Sequence, residues 1–179
     1  MKKVISFVLM TMIAVSMNAQ DITGKWMAND EFNDELNQSA GQEGVNFKLG
    51  LGIDNSTIKL SLYCNVEADG MQMVFYIGVP GVYERSGQHV TSTFDENGME
   101  LTILDLKSDD PELKEMLANE GTKTMLFAML QDQMKEQSGE LKAGINKMSE
   151  TFKEFDVKSV SDTNLVIEVD GTDVNFVKK

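Results

Sequence analysis

Three kinds of side chain in this sequence could do chemistry: one thiol, one imidazole and 29 carboxylates. Cys64 alternates with Leu60, Leu62 and Val66, so it points where they point. On an apolar face a thiol is inert, with its pKa raised. His89 follows the Ser86-Gly87 turn and is expected to face solvent. Joined with Cys64, or with a Ser and an Asp, it would make a hydrolase triad on paper. No Gly-x-Ser-x-Gly elbow supports one. The acidic pairs Asp30-Glu31, Asp34-Glu35 and Asp109-Asp110 stand at expected helix starts, where they cap and offset the helix dipole. No Asp-x-Asp-x-Asp-Gly calcium loop and no Gly-rich phosphate loop is present. Met125, Met129 and Met134 offer soft thioethers to copper(I), but no Met-x-x-Met cluster with a supporting His exists, and Met is a common filler of adaptable cores. A single Cys excludes an intrachain disulfide and a CxxC site, and a single His excludes His-rich zinc or iron sites. No catalytic residue, metal ligand or cofactor is assigned, and the expectation is a protein that is not an enzyme.

The chain that carries these groups has 179 residues and a formal net charge of −13. That length suits one domain. The acidity argues against nucleic acid as a partner, because phosphate backbones repel it. Met1-Lys2-Lys3, the uncharged run from Val4 to Met17, and Asn18-Ala19-Gln20 have the layout of a secretory signal peptide, with cleavage expected after Ala19. The run is too short for a transmembrane segment, and no other stretch suits one as a helix. The expected product, residues 20–179, carries 14 Lys+Arg against 29 Asp+Glu, a charge of −15, and is expected to be periplasmic or secreted.

Hydrophobic periodicity places the elements. Thr23 to Met27 reads as a short first strand, and Asn29 as the cap of a short helix with Phe32 and Leu36 on one face. Val45, Phe47, Leu49, Leu51 and Ile53 alternate with polar residues or glycine. After Asp54-Asn55, so do Ile58, Leu60, Leu62, Cys64 and Val66, which makes a hairpin. Asp69-Gly70 turns into Met71, Met73, Phe75, Ile77 and Val79, and Pro80-Gly81 is expected to break that strand. Short strands follow over residues 82–85, 89–95 and 99–103.

From Asp109 the period becomes helical, with Asp109 or Asp110 as cap and Pro111 in the first turn. Gly121 suggests a break and Ser138-Gly139 a turn. Leu141, Ile145, Met148, Phe152 and Phe155 make a second amphipathic stripe. Strands return over residues 155–160 and 165–169, and Asp170-Gly171 turns the last of these into Val174 and Phe176. The count is nine or ten strands with a helical insertion at 110–155. One apolar face per strand needs a shared interior. The fold class expected is therefore mainly β, an antiparallel up-and-down barrel of about eight to ten strands, with an open sandwich as the alternative.

Gly24-Lys25-Trp26 on the first strand resembles the Gly-x-Trp that opens lipocalins, and a short helix follows it, as in the calycin group. Gly81-Val82-Tyr83, with Ser86-Gly87 and a Thr-rich strand after it, resembles the mid-barrel step of secreted bacterial lipocalin-like domains. The last hairpin is similar to their ending. The resemblance covers most of residues 21–106 and 156–179 and implies a lipocalin-like barrel over 20–179. Two features of lipocalins are missing: a Thr-Asp-Tyr turn, and a late Arg packed across the first-strand Trp. The one Arg is Arg85.

The function expected is a binding module holding a small apolar ligand, such as a fatty acid or lipid fragment, in the barrel under the helices. Val45, Phe47, Leu49, Leu60, Leu62, Met73, Phe75, Met125, Met129 and Phe152 are the candidate ligand-binding residues. A solid core would use the same residues. The alternative is a filled barrel in the cell envelope whose surface binds another protein, with neither ligand nor catalysis. Trp26 is expected to plug the closed end.

Overall fold

The computed structural model describes residues 21–41, 43–136 and 139–179. The expected signal segment 1–19, its cleavage point after Ala19, and Ser138 of the expected turn lie outside the described residues, as does the side chain of Leu141. Nine strands and four α-helices are described. In chain order they are β1 (Gly24–Ala28), α1 (Asp30–Ala40), β2 (Val45–Asp54), β3 (Thr57–Ala68), β4 (Met71–Ser86), β5 (His89–Phe94), β6 (Glu100–Ser108), α2 (Pro111–Ala118), α3 (Glu120–Glu136), α4 (Gly139–Thr151), β7 (Glu154–Val160), β8 (Asn164–Val169) and β9 (Thr172–Lys178).

Eight strands close an antiparallel ring in the order β1-β2-β3-β4-β5-β7-β8-β9, and β9 returns to β1. Two Asp-Gly turns set the register of two hairpins. Asp69 and Gly70 join β3 to β4 with φ of 51° and 73°, and Asp170 and Gly171 join β8 to β9 with φ of 50° and 78°. Both residues of such a turn must be left-handed to match the strand twist, which is why Asp-Gly is found there. Two seams of the ring hold only three residue pairs each, β1–β9 and β5–β7, the second running from His89↔Asp156 to Thr91↔Glu154. Ser92, fully buried, lengthens the seam: its N–H donates to Lys153 O at 2.7 Å and its Oγ to Phe152 O at 2.7 Å.

The ninth strand, β6, lies beside the first half of β4, and this corrects one expectation. Pro80-Gly81 does not end the strand, which runs unbroken for 16 residues. It marks a change of neighbour instead. Residues 71–78 of β4 pair with β6, and residues 81–86 pair with β5. The carbonyl of Pro80 faces that side and accepts from Asp95 N at 2.8 Å. A residue's N–H and C=O point the same way in an antiparallel strand, so the N–H that Pro80 lacks would face Asp95 O, and that carbonyl accepts from Gly98 N at 3.1 Å instead. Gly81 is required by close approach: a Cβ there would lie 2.6 Å from Thr93 O.

α1 replaces a strand along the rest of β2. β1 pairs with β2 only from Gly50 to Ile53. Beyond that, Asn33 Oδ1 accepts from Leu49 N at 3.0 Å while its amide donates to Ala28 O at 2.8 Å. One turn on, Asn37 Oδ1 accepts from Phe47 N at 2.6 Å, and its amide donates to Phe47 O at 3.2 Å. Two side-chain amides at i and i+4 thus do what a neighbouring backbone would do. Asn29 caps the helix, as expected, accepting from Phe32 N at 3.1 Å.

The inward residues of all eight ring strands pack into one core, with Leu49, Leu60, Ile77, Val90, Leu165, Ile167 and Phe176 at its centre and Ile145 and Phe152 entering from the helical segment. The interior of this part of the barrel is filled by side chains. Trp26 is buried in it, and its Nε1 donates to Ile22 O at 2.9 Å. The Lys178 ammonium lies 5.2 Å from the centre of the Trp26 ring. A late cation does therefore cross the first-strand Trp; here it is a lysine of the last strand. A closed eight-stranded antiparallel barrel with flanking helices is compatible with a lipocalin-like fold.

Candidate functional site

The helical segment leaves an apolar opening over the barrel. α2 starts where the sequence indicates: Asp110 Oδ1 accepts from Leu113 N at 2.8 Å, and Pro111 occupies the first turn. It stops at Asn119, whose Oδ1 accepts from Thr122 N at 3.1 Å and so begins α3. The chain breaks at Asn119, two residues before the glycine that suggested a break. A residue that favours side-chain capping over helix interior is the better stop. Both helices pack against β6, on the stretch of sheet that extends past the ring.

Between them lies a half-open cleft of about 240 Å³. Its floor is Val66 and Ala68 of β3, Met71 and Met73 of β4 and Leu106 of β6; its roof is Leu113 of α2 with Leu126 and Leu130 of α3. The floor belongs to the inner face of the sheet, because Val66 is opposite Met73, Ala68 opposite Met71, and Met73 opposite Leu106. The cleft is therefore the mouth of the barrel, roofed by α2 and α3. All eight lining side chains are apolar.

The rim is charged. A shallow depression around the β3–β4 turn shares Ala68 and Met71 with the cleft and adds Glu67, Asp69, Asp109 and Lys107. Glu67 accepts from the Gln72 amide at 2.8 Å. Lys107 lies 3.4 Å from Asp105, and Lys114 of α2 lies 3.7 Å from Asp109. Each nearby cation already has a carboxylate.

The ten residues expected to meet a ligand fall into four groups. Leu49, Leu60, Leu62, Phe75 and Phe152 are packed in the filled core. Met73 lines the cleft. Val45 and Phe47 are half-buried, and Phe47 borders a separate, polar groove of about 720 Å³ between α1 and the outer face of β2–β4. Met125 and Met129 turn to solvent, 76% and 61% exposed. Their neighbours Leu126 and Leu130 face the sheet instead. Each residue step turns a helix by about 100°, so choosing the methionines over the leucines put the stripe on the wrong side of α3. Val66 belongs to a strand alternation visible in the sequence, but nothing local distinguishes a mouth residue from a core residue; Leu106 is out of step with Leu101 and Ile103 and reaches the inner face through an irregularity in the β4–β6 register at Val74–Phe75.

The groups that could do chemistry lie apart from the cleft. Cys64 is fully buried and burial pushes its thiol up to about 12. His89 is on the surface, with Nδ1 3.0 Å from Asp156 Oδ1 on the neighbouring strand. Among the described residues no three His, Cys, Asp or Glu side chains come together as a metal site, and no helix is long and apolar enough to cross a membrane.

No protein-family model and no curated protein matches this chain. What can be said of its function therefore rests on the cleft and its surroundings.

Proposed function

We propose that this protein is a non-catalytic, lipocalin-like binding module, exported through residues 1–19 to the periplasm or outside the cell, that holds a small apolar ligand at the mouth of its barrel. The observation that carries this reading is the contrast between a filled interior and an all-apolar cleft of about 240 Å³ left open under α2 and α3. Water in such a cleft finds no hydrogen-bonding partner, so an apolar group that displaces it gains free energy. Pockets that enclose drug-sized ligands run from about 300 to 1,000 Å³. A cleft below that range fits a short hydrocarbon chain, or one chain of a larger lipid with the remainder outside. A thiol held neutral by burial and a histidine at the surface support a role without catalysis.

The test is native mass spectrometry of the protein isolated from its own producing cells, with organic extraction of the same sample. A stoichiometric apolar mass that disappears in a Leu126→Trp variant is the expected result. A clean apo mass, unshifted after incubation with a lipid panel, overturns the reading. The second reading, a filled barrel that binds an envelope protein, would then take its place. It is favoured by Met116, Met125 and Met129, all exposed on the outer side of α2 and α3.

A further inference from the structure

Resting on that reading of the cleft, we infer that its ligand is a single-chain amphiphile with a positively charged head, an aliphatic ammonium compound, and that free carboxylates are rejected. The eight lining residues provide no hydrogen-bond donor and no cation. A carboxylate drawn into the cleft would lose its water and find no partner, which is prohibitive. The head must therefore remain outside, at the opening. Where the cleft meets solvent at the β3–β4 turn, the shared depression is bordered by Glu67, Asp69, Asp109 and Lys107; Lys107 is paired with Asp105 and Asp109 with Lys114, which leaves Glu67 and Asp69 as the excess negative charge. The net charge of −13 adds a field of the same sign. An ammonium head held at that rim, with its chain along Met71, Met73 and Leu126, meets complementary charge without desolvation. A carboxylate head in the same place meets repulsion. An uncharged alcohol meets neither and ranks between them.

The experiment compares three probes of one chain length, decylammonium, decanol and decanoate, each below its micellar concentration. They compete for a neutral fluorophore, N-phenyl-1-naphthylamine, bound to the purified full-length mature protein. The expected order is decylammonium, then decanol, then decanoate. The first and last should differ by roughly tenfold or more at low salt, about one factor of ten for each 1.4 kcal/mol of difference. The gap should narrow with added salt and in a Glu67→Gln/Asp69→Asn/Asp109→Asn variant. Asn tolerates the positive φ of 51° at position 69, so that variant is expected to fold. Leu126→Trp fills the cleft without changing charge and should abolish binding of all three. If decanoate binds as tightly as decylammonium, the inference on the head group fails while the cleft remains a ligand site. If the preference for decylammonium survives Leu126→Trp, it is surface attraction and the inference fails as well. If none of the three displaces the fluorophore, the binding-module reading itself falls.

Discussion

The two ends of the β3–β4 hairpin differ, although the same alternation of apolar residues runs along both. At the Ile58–Leu62 end the hairpin is flanked by β2 on one side and, on the other, by β5 beside Gly81 and the start of β6 beside Ile77 and Gly78; the ring is closed, and Ile58, Leu60, Ile77 and Val79 are all but sealed from water. At the Val66–Met73 end β6 alone borders β4, the ring no longer closes with strands, and helices cover the face. There Val66 and Met73 are half-buried, and Met71 is nearly half exposed. About six residues of strand, some 20 Å, separate a solid core from an open cleft. An alternating pattern specifies which face is apolar. What covers that face depends on topology, and strands cover it more completely than short helices joined at a cap.

The sharpest way to break this contrast is to truncate one side chain at each end. Phe176 is fully buried and opposite Leu165 in the sealed part of the ring. Phe176→Ala should cost about 3–5 kcal/mol, the transfer term plus a cavity the barrel cannot close. Leu126→Ala, at the open end, should cost about 1 kcal/mol or less, because its environment is already partly water and α3 can settle onto the sheet. Urea unfolding of both variants checks the pair. Equal losses would mean that the cleft is as tightly packed as the core.

A smaller effect tests the edge that α1 supplies. Asn33→Ala leaves the Leu49 N–H and the Ala28 carbonyl without partners in a buried place, and should cost about 2 kcal/mol. Asn37→Ala removes two bonds from a half-buried site that water can reach, and should cost roughly half as much. Hydrogen exchange at the Leu49 and Phe47 amides distinguishes this from a general loss of stability. Each amide should lose protection beyond the global change in its own variant. Unchanged local protection would show that the ring holds β2 without α1.

Those asparagines also show where the sequence stops being legible. The strands, both Asp-Gly turns, the Asn29 and Asp110 caps and the helical insertion between late strands could be read locally, because periodicity and capping act within a few residues. Asn33 and Asn37 carry no such mark: each bonds a backbone 10 to 16 residues away. In the sequence they read as two polar residues on a short acidic helix. Pro80-Gly81 reads as a break because its local chemistry is that of a break. Only the arrangement of β5 and β6 beside β4 makes it a point of exchange within one strand. The site suffered most. Of its ten expected residues five are core, two are half-buried away from the cleft, two face solvent and one lines it, since core and cleft draw on one pool of apolar residues and tertiary contacts divide them.

The smallest predicted effect sharpens the contrast at the sealed end. Trp26 is the chain's single tryptophan, so its fluorescence reports on that end alone. The Lys178 ammonium lies over its ring, 5.2 Å from the ring centre. A lysine at an exposed site contributes about 0.5–1 kcal/mol in this arrangement, and its methylene stem shields the indole from water. Lys178→Met keeps most of the stem and removes the charge, so stability should fall by about 0.5 kcal/mol with little change in emission maximum. Lys178→Ala removes both, so the emission should also shift to the red and become accessible to iodide. If Lys178→Met and Lys178→Ala behave alike in emission and stability, the stem adds nothing. The seal over Trp26 would then come from its neighbours within the ring, with Ile22 O holding the indole N–H in place.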